Sequence, residues 1–152
     1  MISQNVRNKI LYKIRKMDIK DYSEIIGLWK NTAGVGLSGN DDSKKSIKIF
    51  LEKNPNICFV AVSKNGEIIG TIMAGNDGRR GHIYHLMVKP EYREYGIGKK
   101  LLEKVENGLK KAGIRKIFLV VYKKNKLGNN FWGNNGYEIR KDLNYRDKKI
   151  MD

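Results

Sequence analysis

Between residues 82 and 121 the sequence lays down a strand, a glycine-bearing loop, a helix and a second strand, an order that implies parallel strands joined by a crossover. His82-Ile83-Tyr84-His85-Leu86-Met87-Val88 is rich in β-branched and aromatic residues and is ended by Lys89-Pro90, as a strand would be. Arg93-Glu94-Tyr95-Gly96-Ile97-Gly98 follows and runs into Lys99 to Ala112. There Ile97, Leu101, Leu102, Val105, Leu109 and Ala112 recur at three- to five-residue intervals and leave the lysines on the other side, which predicts an amphipathic helix. Gly113 is placed to end it in a left-handed turn, and Lys110 and Lys111 suit the negative end of the helix dipole. Lys116-Ile117-Phe118-Leu119-Val120-Val121 is a short continuous apolar run, as expected of a central strand buried on both faces. The segment therefore reads as one right-handed βαβ unit.

The loop decides what such a unit can bind. Free N–H groups and the positive dipole end at the first turn of a helix favour an anion without any side chain. Gly96 and Gly98 remove Cβ atoms that would block close approach and tolerate the angles that aim successive amides at one point. Arg93 adds a planar, permanently charged donor fork at the rim. The main chain between Arg93 and Lys99 is thus predicted to curl around a diphosphate.

The remaining chain supplies further layers. Leu11 to Arg15 alternates as an opening strand; Asp18 or Asp21 can cap a helix carrying Tyr22, Ile25, Ile26 and Trp29 on one face. Asn31 to Asp42 is a polar, glycine-rich loop, and Ser43 caps a second helix with Ile47, Phe50 and Leu51, ended by Asn54-Pro55. Ile57 to Ser63 and Glu67 to Ala74 form a hairpin across Asn65-Gly66, and Asp77-Gly78 turns into the His82 strand. Tyr137 to Lys141 and Tyr145 to Ile150 are expected to close the sheet as another antiparallel pair. Gly34-Val35-Gly36-Leu37-Ser38-Gly39 spells a dinucleotide fingerprint, but it follows a helical pattern where the motif requires a strand. It reads instead as a mobile loop joining two helices, either a flexible connector or a substrate loop.

Composition narrows the class. A chain of 152 residues with 40% hydrophobic residues and two prolines fits one domain, 1–152, without long linkers. No apolar run approaches the roughly 18–20 residues that span a bilayer. Met1 to Ile10 lacks the apolar core of a secretory signal, so the expected compartment is cytoplasmic. The single cysteine, Cys58, sits among Ile57, Phe59 and Val60 and reads as an inert buried thiol. The net charge of +15 is spread from Arg7 to Lys149 with no tight block and no nucleic-acid-binding motif, so it reads as a solvated surface.

With Asn125-Lys126-Leu127-Gly128-Asn129-Asn130-Phe131-Trp132 and Asn135-Gly136-Tyr137 downstream, the strand, Arg93-to-Gly98 loop, helix and strand resemble the GNAT family of acyl-CoA-dependent N-acyltransferases over most of the chain. Gly81 to Leu86 and Gly128 to Trp132 are similar to a subgroup of small bacterial members of unassigned substrate. The resemblance implies an α/β fold with a mixed, mostly antiparallel central sheet flanked by helices. It implies acetyl-CoA as cosubstrate, no metal, and direct transfer to a primary amine in a ternary complex. Leu86, Met87 and Val88 are then expected to pair with the pantetheine arm, and Arg93, Glu94, Tyr95, Gly96, Ile97, Gly98 and Lys99 to hold the diphosphate, with Asn125 and Trp132 also on the cofactor.

The resemblance leaves the proton-transfer groups open. Trp132 stands where many members carry a tyrosine that acts as general acid, and an indole N–H is no proton source near neutral pH. Tyr122 and Tyr84 are the replacements, with Tyr137 assigned to the core. A lysine-like amine, with a pKa of about 10.4, must lose a proton before attack, whereas a thiol of about 8.5 leaves readily. His82 and His85 are the only histidines, and on a regular strand they face opposite sides unless a bulge intervenes. His85, nearer the acetyl end, is the chosen base, acting through water. Trp29, Asp41 and Asp42 are the expected acceptor-binding residues, although either aspartate could instead cap the helix beside Ser43. The acceptor is a small amine or a protein N-terminus, as for the ribosomal-protein N-terminal alanine acetyltransferases of this fold. A CoA-responsive or ribosome-associated binding module is the alternative outside catalysis, and a homodimer stays open.

Overall fold

The computed structural model describes residues 10–152; residues 1–9, which hold most of the segment read as lacking a signal, lie outside them. The chain resolves into two compact units, one ending at Val120 and the other spanning Val121–Asp152. In the first, five strands form one sheet in chain order: β1 (Tyr12–Lys16), β2 (Phe59–Ser63), β3 (Ile68–Asn76), β4 (Gly81–Val88) and β5 (Ile117–Phe118). The first four pair antiparallel and β5 joins β4 in parallel, which is the mixed, mostly antiparallel sheet expected. Helices α1 (Tyr22–Lys30), α2 (Lys44–Lys53) and α3 (Ile97–Lys111) complete this unit.

Each helix begins and ends where local chemistry provides for it. Asp18 and Asp21 cap one another across the single 3-10 turn Ile19–Asp21 that leads into α1. Ser43 Oγ accepts the amide of Ser46 at 3.2 Å at the start of α2. Gly113, at φ +79°, ends α3, with the Ile114 amide returning to the carbonyl of Leu109 at 3.0 Å.

Alternation along the strands sends side chains to two faces. On one, α1 and α2 cover a core of Met17, Ile25, Trp29, Ile47, Cys58, Val60, Ile68, Met73 and Met87. On the other, α3 inserts Ile97, Leu101, Leu102, Val105 and Leu109, each at most 1% exposed; a Cβ on Gly70 would meet Leu101 at 3.2 Å. Fully burying such a side chain contributes about 1.5–3 kcal/mol, so α3, and with it the loop before it, is fixed firmly to the sheet. Cys58 is buried as expected, and burial pushes its thiol up to about 11; its Sγ donates to the Ala74 carbonyl at 3.5 Å.

Two expectations fail. The run 116–121 is not a central strand: β5 spans two residues at the sheet edge, and Phe118 and Val120 are 51% and 57% exposed. A continuous apolar run signals hydrophobicity on both faces, but it cannot say whether a neighbour exists on both edges. Nor do 137–141 and 145–150 form strands; Ile139, Tyr145 and Ile150 are 75%, 72% and 86% exposed. Each segment offers few apolar residues to bury among many charges, and Arg140 pairs with Asp142, two positions on, at 2.7 Å.

The second unit is built around α4 (Lys126–Asn134), which Asn125 caps by accepting the Gly128 amide at 2.9 Å. None of the described helices is long and apolar enough to cross a membrane.

Candidate functional site

The start of α3 is built from main chain. Gly96 occupies its N-cap with φ +78°, a left-handed angle that strains any β-branched residue, and no side chain caps the helix there. A Cβ on Gly96 would meet nothing within 4 Å, so handedness demands the glycine and the space in front of the helix is open. Glu94 is left-handed too, at φ +68°. Reversals of hand at neighbouring residues turn successive amides toward a common point, which suits an anion. The first helical hydrogen bond runs from the Lys100 amide to Gly96 O at 3.1 Å, leaving the amides of Ile97, Gly98 and Lys99 ahead of the ladder. Ile97 is 1% exposed and faces the core, so only its backbone can serve. Tyr95, 41% exposed, and Lys99 present side chains at the surface. Arg93 does not project freely: its Nε donates to the Val88 carbonyl at 3.0 Å, joining the loop to the end of β4 and aiming the rest of the guanidinium from a fixed base.

The end of β4 departs from regular geometry. Thr71 of β3 lies opposite Met87 while Met73 lies opposite Tyr84, so two steps along β3 match three along β4. This bulge centres on His85, whose φ of +48° is left-handed without the excuse of a glycine. Thr71 maintains it: its hydroxyl donates to the His85 carbonyl at 2.9 Å and accepts the indole N–H of Trp29 at 3.0 Å. The extra residue brings His85 to the face already occupied by His82 and Tyr84, with ring centroids 4.1 Å apart for His82 and Tyr84 and 6.5 Å for Tyr84 and His85. On its other edge β4 pairs with β5 only at Gly81 and His82, and among the described residues no strand continues that pairing along Leu86, Met87 and Val88. Main-chain groups there are placed to receive an extended ligand.

Three elements converge on the His85 ring. Trp29 of α1 lies against it at 4.4 Å between centroids, and Asp42, from the loop before α2, meets His85 Nε2 with Oδ1 at 2.7 Å. Asp42 is 7% exposed; its Oδ2 accepts the Ser38 amide at 2.8 Å and its carbonyl accepts the Tyr22 hydroxyl at 2.8 Å. Burial would raise its pKa, but the hydrogen bonds from His85 and Ser38 and the charge of the imidazole outweigh burial and hold it below the ordinary carboxylate range. The loop is thus tied down, with Val35 packed against the core as well.

Of the residues expected to bind acceptor, Trp29 is only 1% exposed, Asp42 is engaged through both oxygens, and Asp41 lies at the surface; Ser43, not either aspartate, is the cap. His82 lies against Tyr84 and Phe118, and burial lowers its pKa. Tyr84 is 43% exposed and meets Phe50 edge-on at 5.8 Å. The sequence reading gives Tyr22 only a place on a helix face and Ser38 only a place in the glycine-rich loop, and it passes over Thr71, the one hydroxyl in the apolar strand Ile68–Asn76.

In the second unit, the Asn125 side chain serves as the cap of α4, while Trp132 packs against Phe131 and Tyr137 at 5.1 and 5.0 Å. Tyr122 is 58% exposed, and its carbonyl accepts from Asn129 Nδ2 at 2.9 Å. No cluster of three or more His, Cys, Asp or Glu placed to hold a metal ion occurs among the described residues.

Residues 21–137 match the model of the acetyltransferase (GNAT) family. The acetyltransferase plu1384 of Photorhabdus laumondii subsp. laumondii is 37% identical over 109 residues, covering 72% of this chain and 74% of that protein. Among solved structures, the PaiA N-acetyltransferase of Thermoplasma acidophilum in complex with coenzyme A superposes with a TM-score of 0.74 at 26% identity, over 86% of this chain and 92% of that one. A GNAT acetyltransferase of Staphylococcus aureus Mu50, at 22% identity, shares the fold with a TM-score of 0.73 over 93% and 95% of the two chains.

Proposed function

The chain belongs to the GNAT acetyltransferase family, and from that premise we propose that residues 1–152 act as one acetyl-CoA-dependent N-acetyltransferase domain serving a primary amine in the cytoplasm. The observation that carries this reading is the left-handed Gly96 ahead of an uncapped helix, which leaves the Ile97, Gly98 and Lys99 amides for a diphosphate. Arg93, anchored on the Val88 carbonyl, supplies the permanent charge beside them. Leu86, Met87 and Val88 offer main-chain groups to the pantetheine amides, and an N–H there polarises the thioester carbonyl. Bound in this way, acetyl-CoA supplies an activated acetyl group.

The chain's own task is to orient the amine and move its proton. His85 accepts one proton from the ammonium, directly or through water; the neutral nitrogen then forms a C–N bond to the acetyl carbon as the C–S bond breaks, and the second proton, shed by that nitrogen, passes to the departing thiolate. Tyr84 or Tyr122 is the hydroxyl proposed to relay this proton to the sulfur. Replacing each by phenylalanine separates them, since only the acid's loss slows turnover.

The test is twofold. Acetyl-CoA at about a hundred times its Kd is expected to raise stability by about 2.7 kcal/mol, seen as a higher Tm. CoA release should then accelerate with a member of a panel spanning polyamines, aminoglycosides and peptides with free N-termini. Tight binding with no acceleration by any amine would favour a CoA-responsive binding module instead.

A further inference from the structure

We infer that Asp42 is a positioning residue for this reaction: it fixes the His85 imidazole at the β4 bulge as the Nε2–H tautomer, leaving Nδ1 as the atom that takes the amine proton. The inference deepens the acetyl-transfer reading and rests on it. It also gives Asp42 a different role from that of counter-ion to a cationic acceptor, which the sequence suggested.

The case is geometric. A carboxylate only accepts, so the 2.7 Å contact of Asp42 Oδ1 with Nε2 places a proton on Nε2. In the neutral ring the lone pair then lies on Nδ1. That atom makes no hydrogen bond among the described residues, and it is not sealed: the one buried side-chain nitrogen or oxygen without a partner there is His82 Nδ1. The ring cannot readily turn. Trp29 lies along it, and its own main chain is held by the Thr71 hydroxyl. Asp42 is equally constrained, by the Ser38 amide on Oδ2 and the Tyr22 hydroxyl on its carbonyl. Both oxygens already accept hydrogen bonds and the residue is 7% exposed, so Asp42 turns little of its carboxylate toward a substrate ammonium group.

When Nδ1 takes the proton, the imidazolium keeps its Nε2–H on the carboxylate, and no charge is left unpaired in the interior. Among the described contacts, the titratable groups facing this pair are Tyr22 from α1 and Tyr84 from β4, with His82 lying against Tyr84; Phe50 of α2 also meets Tyr84, and Thr71 of β3 holds the His85 carbonyl.

The direct test is nitrogen NMR of the histidine rings in the wild-type protein at alkaline pH. Protonation on Nε2 of His85 is expected, and an Nδ1–H tautomer overturns the inference. Kinetics supply the second arm, with the best amine from the panel. Asp42→Asn is expected to lower kcat roughly tenfold or more while the amine KM moves by less than about twofold, because the side chain acts through His85 and not on substrate. Asp42→Asn combined with His85→Gln should be no slower than His85→Gln alone. A tenfold rise in amine KM at unchanged kcat would make Asp42 the acceptor's counter-ion and end the proposal, as would a kinetically silent Asp42→Asn. An active wild type with either result sinks this inference alone. A wild type that binds acetyl-CoA yet acetylates no amine sinks the transfer reading and this inference with it.

Discussion

The loop at the start of α3 and the bulge of β4 lie at successive positions in one βαβ unit, yet they are made in opposite ways. The first is local: two left-handed residues, Glu94 and Gly96, two positions apart, and a helix whose first amides have no side-chain cap. The second is assembled from afar, with Asp42 43 residues from His85 and Thr71 14 residues away. A site made of backbone angles is written in the residues that permit those angles. A site made of side-chain contacts depends on where the rest of the fold puts them.

If that contrast is right, disturbing the backbone should abolish ligand binding without touching the bulge, and disturbing the bulge should cost stability and turnover without touching the cradle. The largest effect is expected from Gly96→Val. A β-branched residue at φ +78° is strained by about 1–3 kcal/mol and pushes the loop out of its conformation. Calorimetry should find acetyl-CoA affinity lowered about a hundredfold or more, with the His85 ring resonances unmoved. Thr71→Val comes next. It strands the Trp29 indole N–H and frees the His85 carbonyl at a residue that is fully buried, so unfolding in urea should show a loss of about 1–3 kcal/mol while acetyl-CoA affinity is retained.

Arg93→Lys should be milder. The charge survives but the Nε bond to Val88 does not, so the KM for acetyl-CoA should rise several-fold with kcat little changed. Smallest is a pH effect. Asp42 and Asp21 both have carboxyl pKa values held below their ordinary range, the hydrogen bonds outweighing burial in each. Groups depressed in the folded state stabilise it fully above the unfolded value of about 3.9, and that contribution is lost as pH falls through the folded pKa. Urea midpoints of the wild type should therefore fall as pH drops below about 4, and those of Asp42→Asn should fall less steeply.

The same contrast explains what could be read beforehand. Caps at Ser43 and Gly113, the Asn65-Gly66 hairpin and the amphipathic α3 follow from short-range chemistry and were legible. So was the cradle. The two histidines were recognised as candidates for one face only if a bulge intervened, but nothing in His82 to Val88 announces a bulge, because its anchor is a threonine on another strand. Asp42 was singled out for its charge and given a substrate as partner, since sequence does not disclose that residue 42 lies within hydrogen-bonding distance of residue 85. The exposed edge of β5 and the missing strands after residue 136 mark the same limit: an apolar or alternating pattern describes one strand, and pairing needs a second.

The central claim, that main-chain amides at the start of α3 hold the diphosphate, is tested most directly by amide NMR with two ligands. Coenzyme A should move the backbone resonances of Ile97, Gly98 and Lys99 strongly, and pantetheine, which lacks the diphosphate, should leave them in place while still moving Leu86 to Val88. Equal shifts with both ligands, or shifts with coenzyme A that bypass residues 97–99, would contradict it.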